Sequence, residues 1–308
     1  MGQGGGSSSY ARMEAAGDSD YGGGSRTTVP MGAAVLGCQT QGTCHAVPGY
    51  GGSSSCGGIS FLTDPGLRDA TGVALAFTFR WGGVSEPPFD SLNLNRRVGD
   101  DPSHLDENIR RLLDAMGLHG LGNRLVNPVQ VHGTRVLVLD EVPSSQRIDD
   151  ECDAVATALA GIPVMLGFAD CVPIVLVAPD GAFCVVHSGW RGTLARISAV
   201  AVEALCRISH AEPSSLNAYI GPHIGACCYE VSDDLLRRFM DEFGPGCEAP
   251  RSCLDLEFAV RAALADAGVM EARVASAGIC TAHDTGRCFS HRAEHGHTGR
   301  FAALCCRT

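Results

Sequence analysis

His132, Cys171 and His187 are the residues of this chain whose types could do chemistry together. Two imidazoles and one thiolate suit a zinc ion, and three protein ligands leave a fourth position open for water, the pattern of a catalytic rather than a structural site. Water held in that position loses a proton near neutral pH and becomes a nucleophile. Read without a metal, Cys171 is a nucleophile and His187 its base, with Arg191 or a helix N-terminus favouring the thiolate. A third reading leaves Cys171 buried between strands and His132 in an ordinary structural hydrogen bond. Asp170 speaks against full blandness, because a buried carboxylate has to be paired or hydrogen bonded.

The elements that must position these groups centre on FADCVPIVLVAPDGAFCVVHSGWRGT, residues 168–193. Pro173 to Val177 and Ala182 to Val186 are short apolar runs, and Pro179, Asp180 and Gly181 supply turn chemistry between them. An antiparallel hairpin follows. It brings Cys171, at the start of the first run, to His187, at the end of the second. After GWRGT, Thr193 is the expected N-cap of a helix carrying Leu194, Ile197, Val200, Leu205 and Ile208 through Ser209. Glycines ahead of a helix start also expose backbone N–H groups to an anion, and Arg191 adds charge there.

Upstream, ISFLT and VALAFTF read as strands. The Gly- and Pro-rich stretch TFRWGGVSEPPFDSLNLNRRVGDDP reads as a long structured loop carrying Arg80, Asn93 and Asn95, and loops of that length are often functional. Ser103 is the expected cap of the next helix, whose buried stripe is Leu105, Ile109, Leu112, Leu113 and Met116. LVNPVQVHGTRVLVLD reads as two strands around Gly133, with His132 ending the first. Downstream, Ser232 caps a helix, Asp255 starts another, and RVASAGICTAHDTGRCFSHRAEHGHTGRF brings together Cys280, Thr281, Ser290, Arg292 and Arg300.

Length and composition bound the class. The 308 residues are 45% hydrophobic and 19% charged, enough for a packed core. A net charge of −11 argues against nonspecific nucleic-acid binding. No apolar run is long enough for a membrane span, and the N-terminus lacks the order of a signal peptide, so a cytoplasmic protein is expected. Fifteen cysteines, many inside apolar runs (Cys152, Cys184, Cys206), read as free thiols in a reducing compartment. The adjacent pairs Cys227-Cys228 and Cys305-Cys306 are not CxxC metal knuckles. Residues 1–58 are Gly/Ser-rich and read as a disordered tail rather than a metal site built on Cys38, Cys44, His45 and Cys56. One domain is expected over residues 59–308, with no internal repeat.

Five blocks carry a family resemblance: TFRWGGVS with SLNLNRRVGDDP, PVQVHG, ADCVPIVLV, VVHSGWRGT, and IGPHIGACCYEV with GICT, CFSHR and GR. In these, residues 59–308 resemble the YfiH-like laccase-domain family, also called multicopper-polyphenol-oxidase-like proteins. The resemblance implies a single α/β (α+β) domain, a four-layer α/β/β/α sandwich. It implies zinc, with copper as the alternative ion, held by His132, Cys171 and His187. It implies a purine nucleoside enzyme that phosphorolyses adenosine, inosine, guanosine and methylthioadenosine and deaminates adenosine, a transferase and hydrolase acting on small molecules as a monomer or weak homo-oligomer. Asp170 is a proton carrier or an orienting neighbour of the ligands. Arg191 and Arg292 are the phosphate candidates, and Arg80 and Asn93 the further pocket residues. Two departures stand out: His223 where the family often has Cys, and Ser290-His291-Arg292 where it often has Tyr in the middle. The alternatives are a cysteine or metal hydrolase editing peptidoglycan precursors, a laccase-like polyphenol oxidase with copper, and a non-catalytic metal-binding module. A laccase needs several copper sites rich in His pairs, and one mononuclear candidate is legible.

Overall fold

The computed structural model describes residues 58–308 and the backbone of 53–56. The Gly/Ser-rich segment ahead of these, with Cys38, Cys44 and His45, lies outside the described residues. In chain order the elements are β1 (Ser53–Cys56), β2 (Ile59–Leu62), α1 (Pro65–Thr71), β3 (Val73–Thr78), α2 (Pro102–Ala115), β4 (Val136–Leu139) and β5 (Ala154–Thr157). Then come β6 (Val164–Phe168), β7 (Val172–Val177), β8 (Phe183–Ser188), α3 (Trp190–Leu194), α4 (Ile197–Ser209), β9 (Asn217–Ile220) and α5 (Asp233–Phe243). The chain closes through β10 (Glu248–Ala249), β11 (Cys253–Leu254), α6 (Leu256–Asp266), β12 (Val274–Ser276) and β13 (Phe301–Arg307). Order starts earlier than expected, because β1 pairs antiparallel with β2, Cys56 opposite Ile59.

Two sheets stack. One has the order β1-β2-β3-β13-β6, the other β12-β9-β7-β8-β5-β4. Their facing surfaces share one apolar layer, in which Leu75, Phe77, Leu166 and Phe168 meet Val155, Val175, Phe183 and Tyr219. The outer face of the first sheet packs on α2 through Leu105, Ile109 and Leu112 against Ala76, Met165 and Leu304. The outer face of the second packs on α4, α5 and α6 through residues such as Leu205, Phe239 and Val260. The result is the four-layer α/β/β/α sandwich. Fully burying each such side chain stabilises the fold by roughly 1.5–3 kcal/mol.

Tyr219, fully buried on β9, donates its hydroxyl to Asp64 Oδ2 at 2.7 Å, and the same carboxylate caps α1 by accepting from Leu67 N. Removing one donor from a buried carboxylate costs about 1–3 kcal/mol. Tyr219→Phe is therefore expected to lower the urea midpoint with an unchanged slope; an unchanged midpoint would show that the bond contributes nothing.

Several local expectations change. Asp101, not Ser103, caps α2: its carboxylate accepts from both the N–H and the hydroxyl of Ser103, and Pro102 takes the first helical position. The stretch before His132 forms isolated bridges at Val126 and Val129 rather than a strand, since Pro128 between them has no N–H to donate. Thr193 lies inside the short α3, its Oγ1 donating to Gly189 O and accepting from Ser188 Oγ. Arg196 at φ 58° then breaks the chain, and α4 starts at Ile197. On α4 the buried face runs through Ile197, Ala201, Ala204 and Leu205, whose alanines allow close approach to the sheet, and Val200 points to solvent.

Candidate metal centre and its cavity

The β7–β8 hairpin has the expected register: Val172 lies opposite Ser188 and Pro173 opposite His187. The turn closes through Ala178 N to Ala182 O, with Gly181 at φ 86°. Cys171, one residue ahead of β7, and His187, near the end of β8, therefore meet at one end of the sandwich. His132 arrives from the loop before β4, held at φ 61°. The ligating atoms of the three lie within 4.8 Å of one another, with His132 Nε2 3.9 Å from Cys171 Sγ.

Asp153, fully buried one residue ahead of β5, builds this geometry. Its Oδ1 accepts from His187 Nδ1 at 2.8 Å and from His132 N at 2.9 Å. Its Oδ2 accepts from Gly133 N at 2.7 Å and Val131 N at 3.2 Å. An ionised carboxylate only accepts, so Nδ1 of His187 carries the proton and Nε2 keeps its lone pair. That is the carboxylate–histidine support typical of a ligated imidazole. Burial works against ionising Asp153, but the His187 bond and charge and the backbone donors hold its pKa below the usual carboxylate value. Sequence reading missed this residue; its one signal is a carboxylate inside the apolar run CDAVAT.

Burial alone would push the Cys171 thiol up, yet the charge of His187 and hydrogen bonds from both histidines bring it down to about 6. The reciprocal effect of Cys171 and Asp153 overcomes burial at His187 and raises its pKa to about 9. Without an ion the pair shares a proton between Cys171 and His187 Nε2; once that proton is displaced, one thiolate and two neutral imidazoles form a donor set that fits a borderline-soft divalent cation such as zinc.

The group floors a cavity of about 470 Å³, within the size range of small-molecule sites. Asp170, Trp190, Arg191, Tyr229, His291 and Arg292 line it, as do Asn95, Arg97, Gln130 and Arg300. Asp170, at φ 89°, uses its carboxylate to accept from Thr281 Oγ1, Ser290 Oγ and Arg292 N at 2.6–2.7 Å. With those lone pairs engaged, its geometry is that of a positioning residue that ties two loops to the Cys171 turn. Arg191 lies over the Trp190 ring and Arg292 over Tyr229, with centroid distances of 4.4 and 5.1 Å.

Arg80 and Asn93 do not reach the cavity. Arg80 is buried, donating to Thr285 O and Glu294 Oε1 while stacked on Phe289. Asn93 accepts from Arg300 N and Asn95 N. Both were read from a long loop, and the loop folds inward because its polar groups need partners; Asn93 positions Arg300 and Asn95, and Arg80 holds the segment of Thr285 and Glu294, instead of lining the site. His223 also lies apart, its Nδ1 on Gly221 O, whereas His291 lines the cavity. Arg300, seen only as part of a polar cluster, is the second residue whose place was missed. Burial lowers its pKa, Cys171 and Asp170 partly offsetting the loss of water. Among the described residues no ion pair joins Arg97, Arg191, Arg292 or Arg300 to a carboxylate.

Residues 74–308 match the family described as multi-copper polyphenol oxidoreductase laccase. A protein of Xylella fastidiosa named purine nucleoside phosphorylase is 36% identical over 246 residues, covering 76% of this chain and 92% of that one. Purine nucleoside phosphorylase YlmD of Geobacillus stearothermophilus is 34% identical over 253 residues, covering 78% and 92%. The crystal structure of YlmD superposes with a TM-score of 0.72 at 32% identity, covering 84% of this chain and 99% of YlmD. That of Bacillus licheniformis hypothetical protein YfiH gives 0.75 at 26%, covering 84% and 100%. With the family model matching most of the chain, relatives above 30% identical along it and a shared fold, the chain belongs to the YfiH-like, multi-copper polyphenol oxidoreductase laccase family.

Proposed function

We propose that this protein is a purine nucleoside phosphorylase that binds zinc through His132 Nε2, Cys171 Sγ and His187 Nε2. The observation that carries the reading is the cavity itself, where a soft-ligand floor faces four guanidinium groups that, among the described residues, form no ion pair with a carboxylate. Guanidinium forks match phosphate oxygens bidentately, so Arg191, Arg292 and Arg300 hold inorganic phosphate. Adenosine, inosine, guanosine and methylthioadenosine are the nucleosides expected, and adenosine deamination is the expected second reaction. Zinc in the centre supplies a Lewis acid and, for deamination, water activation.

In phosphorolysis a phosphate oxygen bonds to C1′ as the glycosidic bond breaks and the purine leaves with the bonding pair. The arginines align the phosphate and withhold bulk water. Tyr229 is kept protonated, its pKa pushed up to about 12 by burial and by Cys171, so its hydroxyl is a donor to the purine or the ribose. The depressed thiol of Cys171 also suits a nucleophile of a metal-free hydrolase, and that is the rival the test must separate. A laccase-like reading draws less support, since the second ligand group among the described residues is three cysteines without an imidazole.

The test is purified protein with adenosine, with and without phosphate, products separated, and metal content read on the same sample. Adenine with ribose-1-phosphate, or inosine, lost on chelation and restored by zinc, supports the proposal. Chelator-insensitive hydrolysis of an amide, or metal without nucleoside turnover, sinks it. Arg300→Met is expected to raise KM for phosphate about 10-fold or more, the equivalent of one charge-assisted hydrogen bond, and to move KM for the nucleoside far less. An equal shift in both constants would remove Arg300 from the phosphate site.

A further inference from the structure

Cys227, Cys228 and Cys280 place three Sγ atoms within 4.8 Å of one another, outside the lining of the cavity above the His/Cys centre. We propose that this triad binds a thiophilic d10 metal ion, Zn(II) or Cu(I), as a second metal site of the protein.

The geometry suits an ion rather than a bare thiol contact. Sulfurs bound at about 2.3 Å in a tetrahedral site lie roughly 3.8 Å apart. Cys227 and Cys228 Sγ are 3.5 Å apart, far beyond the about 2.05 Å of a disulfide. Gly225 N donates to Cys280 Sγ at 3.2 Å, the kind of backbone support that orients a thiolate ligand. A Cβ on Gly225 would lie 3.5 Å from both Cys227 Sγ and Cys280 Sγ and 3.2 Å from Cys280 Cβ, so a glycine leaves the sulfurs room to converge. Three thiolates are a soft donor set that selects d10 ions over hard cations.

The site is open. Cys227 is exposed and the other two are half-buried. Cys227 and Cys280 border a cavity of about 370 Å³ that also holds Asp255 and the ion pair of Glu257 with Arg261. The ligands come from two segments joined by the pairing of His223 with Cys280. An ion there ties the segment ending in Tyr229, which lines the main cavity, to the one beginning at Thr281, which holds Asp170.

The experiment uses the full chain, stripped of metal and kept reduced and anaerobic, titrated with Zn(II) alone and with Cu(I) alone against a chromophoric competitor. The wild type is expected to take up two equivalents of at least one ion. The Cys228→Ser/Cys280→Ser variant is expected to take up one, and Cys171→Ala the complementary one. Co(II) loading adds a readout independent of turnover: the thiolate-to-cobalt charge-transfer band should be about three times stronger for the site left in Cys171→Ala than for that left in the double variant. A wild type that takes up no more than one equivalent of Zn(II) and no more than one of Cu(I) overturns the proposal. So does a double variant that still binds two. If Cys171→Ala fails to fold, the wild-type cobalt spectrum decides alone, because a single-thiolate band contradicts the triad.

Discussion

Asp153→Asn is expected to cut zinc affinity about 10- to 100-fold, the usual cost of losing a ligand's supporting carboxylate, and to lower turnover with it. The carboxylate accepts four hydrogen bonds and donates none. An amide can meet only one side of that demand. With its oxygen toward His187, its NH2 confronts the N–H groups of Val131 and Gly133. Flipped, the NH2 faces His187 Nδ1 and drives the proton to Nε2, the atom that should bind the metal. Either way at least one buried donor loses its partner, at about 1–3 kcal/mol. The measurement is zinc competition with a chromophoric chelator, alongside circular dichroism to verify the fold. Affinity within about twofold of the wild type would remove Asp153 from the centre's construction and leave it a structural bond.

Part of this site could be read from residue types. The hairpin was legible because Pro179-Asp180-Gly181 sits between two apolar runs, and a short turn leaves little freedom in register. Once β7 and β8 pair, Cys171 and His187 have to meet. Asp153 was hidden because its role depends on two long-range pairings, β5 beside β8 and β5 beside β4. Nothing local announces which backbone N–H groups a carboxylate in an apolar run will gather. Arg80 and Asn93 misled for the opposite reason. They stand in a motif-rich loop, but a loop with this many polar groups must satisfy itself, and both turn inward to hold the loop of Glu294 and the backbone of Arg300. Of the residues at the cavity wall, Asn95 and Arg300 are the ones Asn93 positions.

Gly189→Ala is expected to abolish most zinc binding and activity at a stability cost of only about 1–3 kcal/mol. Gly189 has φ −75° and ψ 167°, a conformation any residue adopts, so alanine meets no backbone penalty. The obstacle is the site: an added Cβ would sit 2.7 Å from His132 Cδ2 and 3.1 Å from Cys171 Sγ. Something must move. The Gly189 turn is stapled by Thr193 and Ser188, which favours displacement of the imidazole. Overpacking of this kind costs about 1–3 kcal/mol, but a ligand or reacting group misplaced by about 1 Å can cost 100-fold in rate. The effect on chemistry should therefore far exceed the effect on stability. A double-mutant cycle isolates the cause. In a His132→Ala background the methyl has room, so the stability cost of Gly189→Ala should shrink sharply, and the two substitutions should be non-additive by an amount typical of residues in contact. Strict additivity would place the damage elsewhere and show that close approach at Gly189 does not govern the centre.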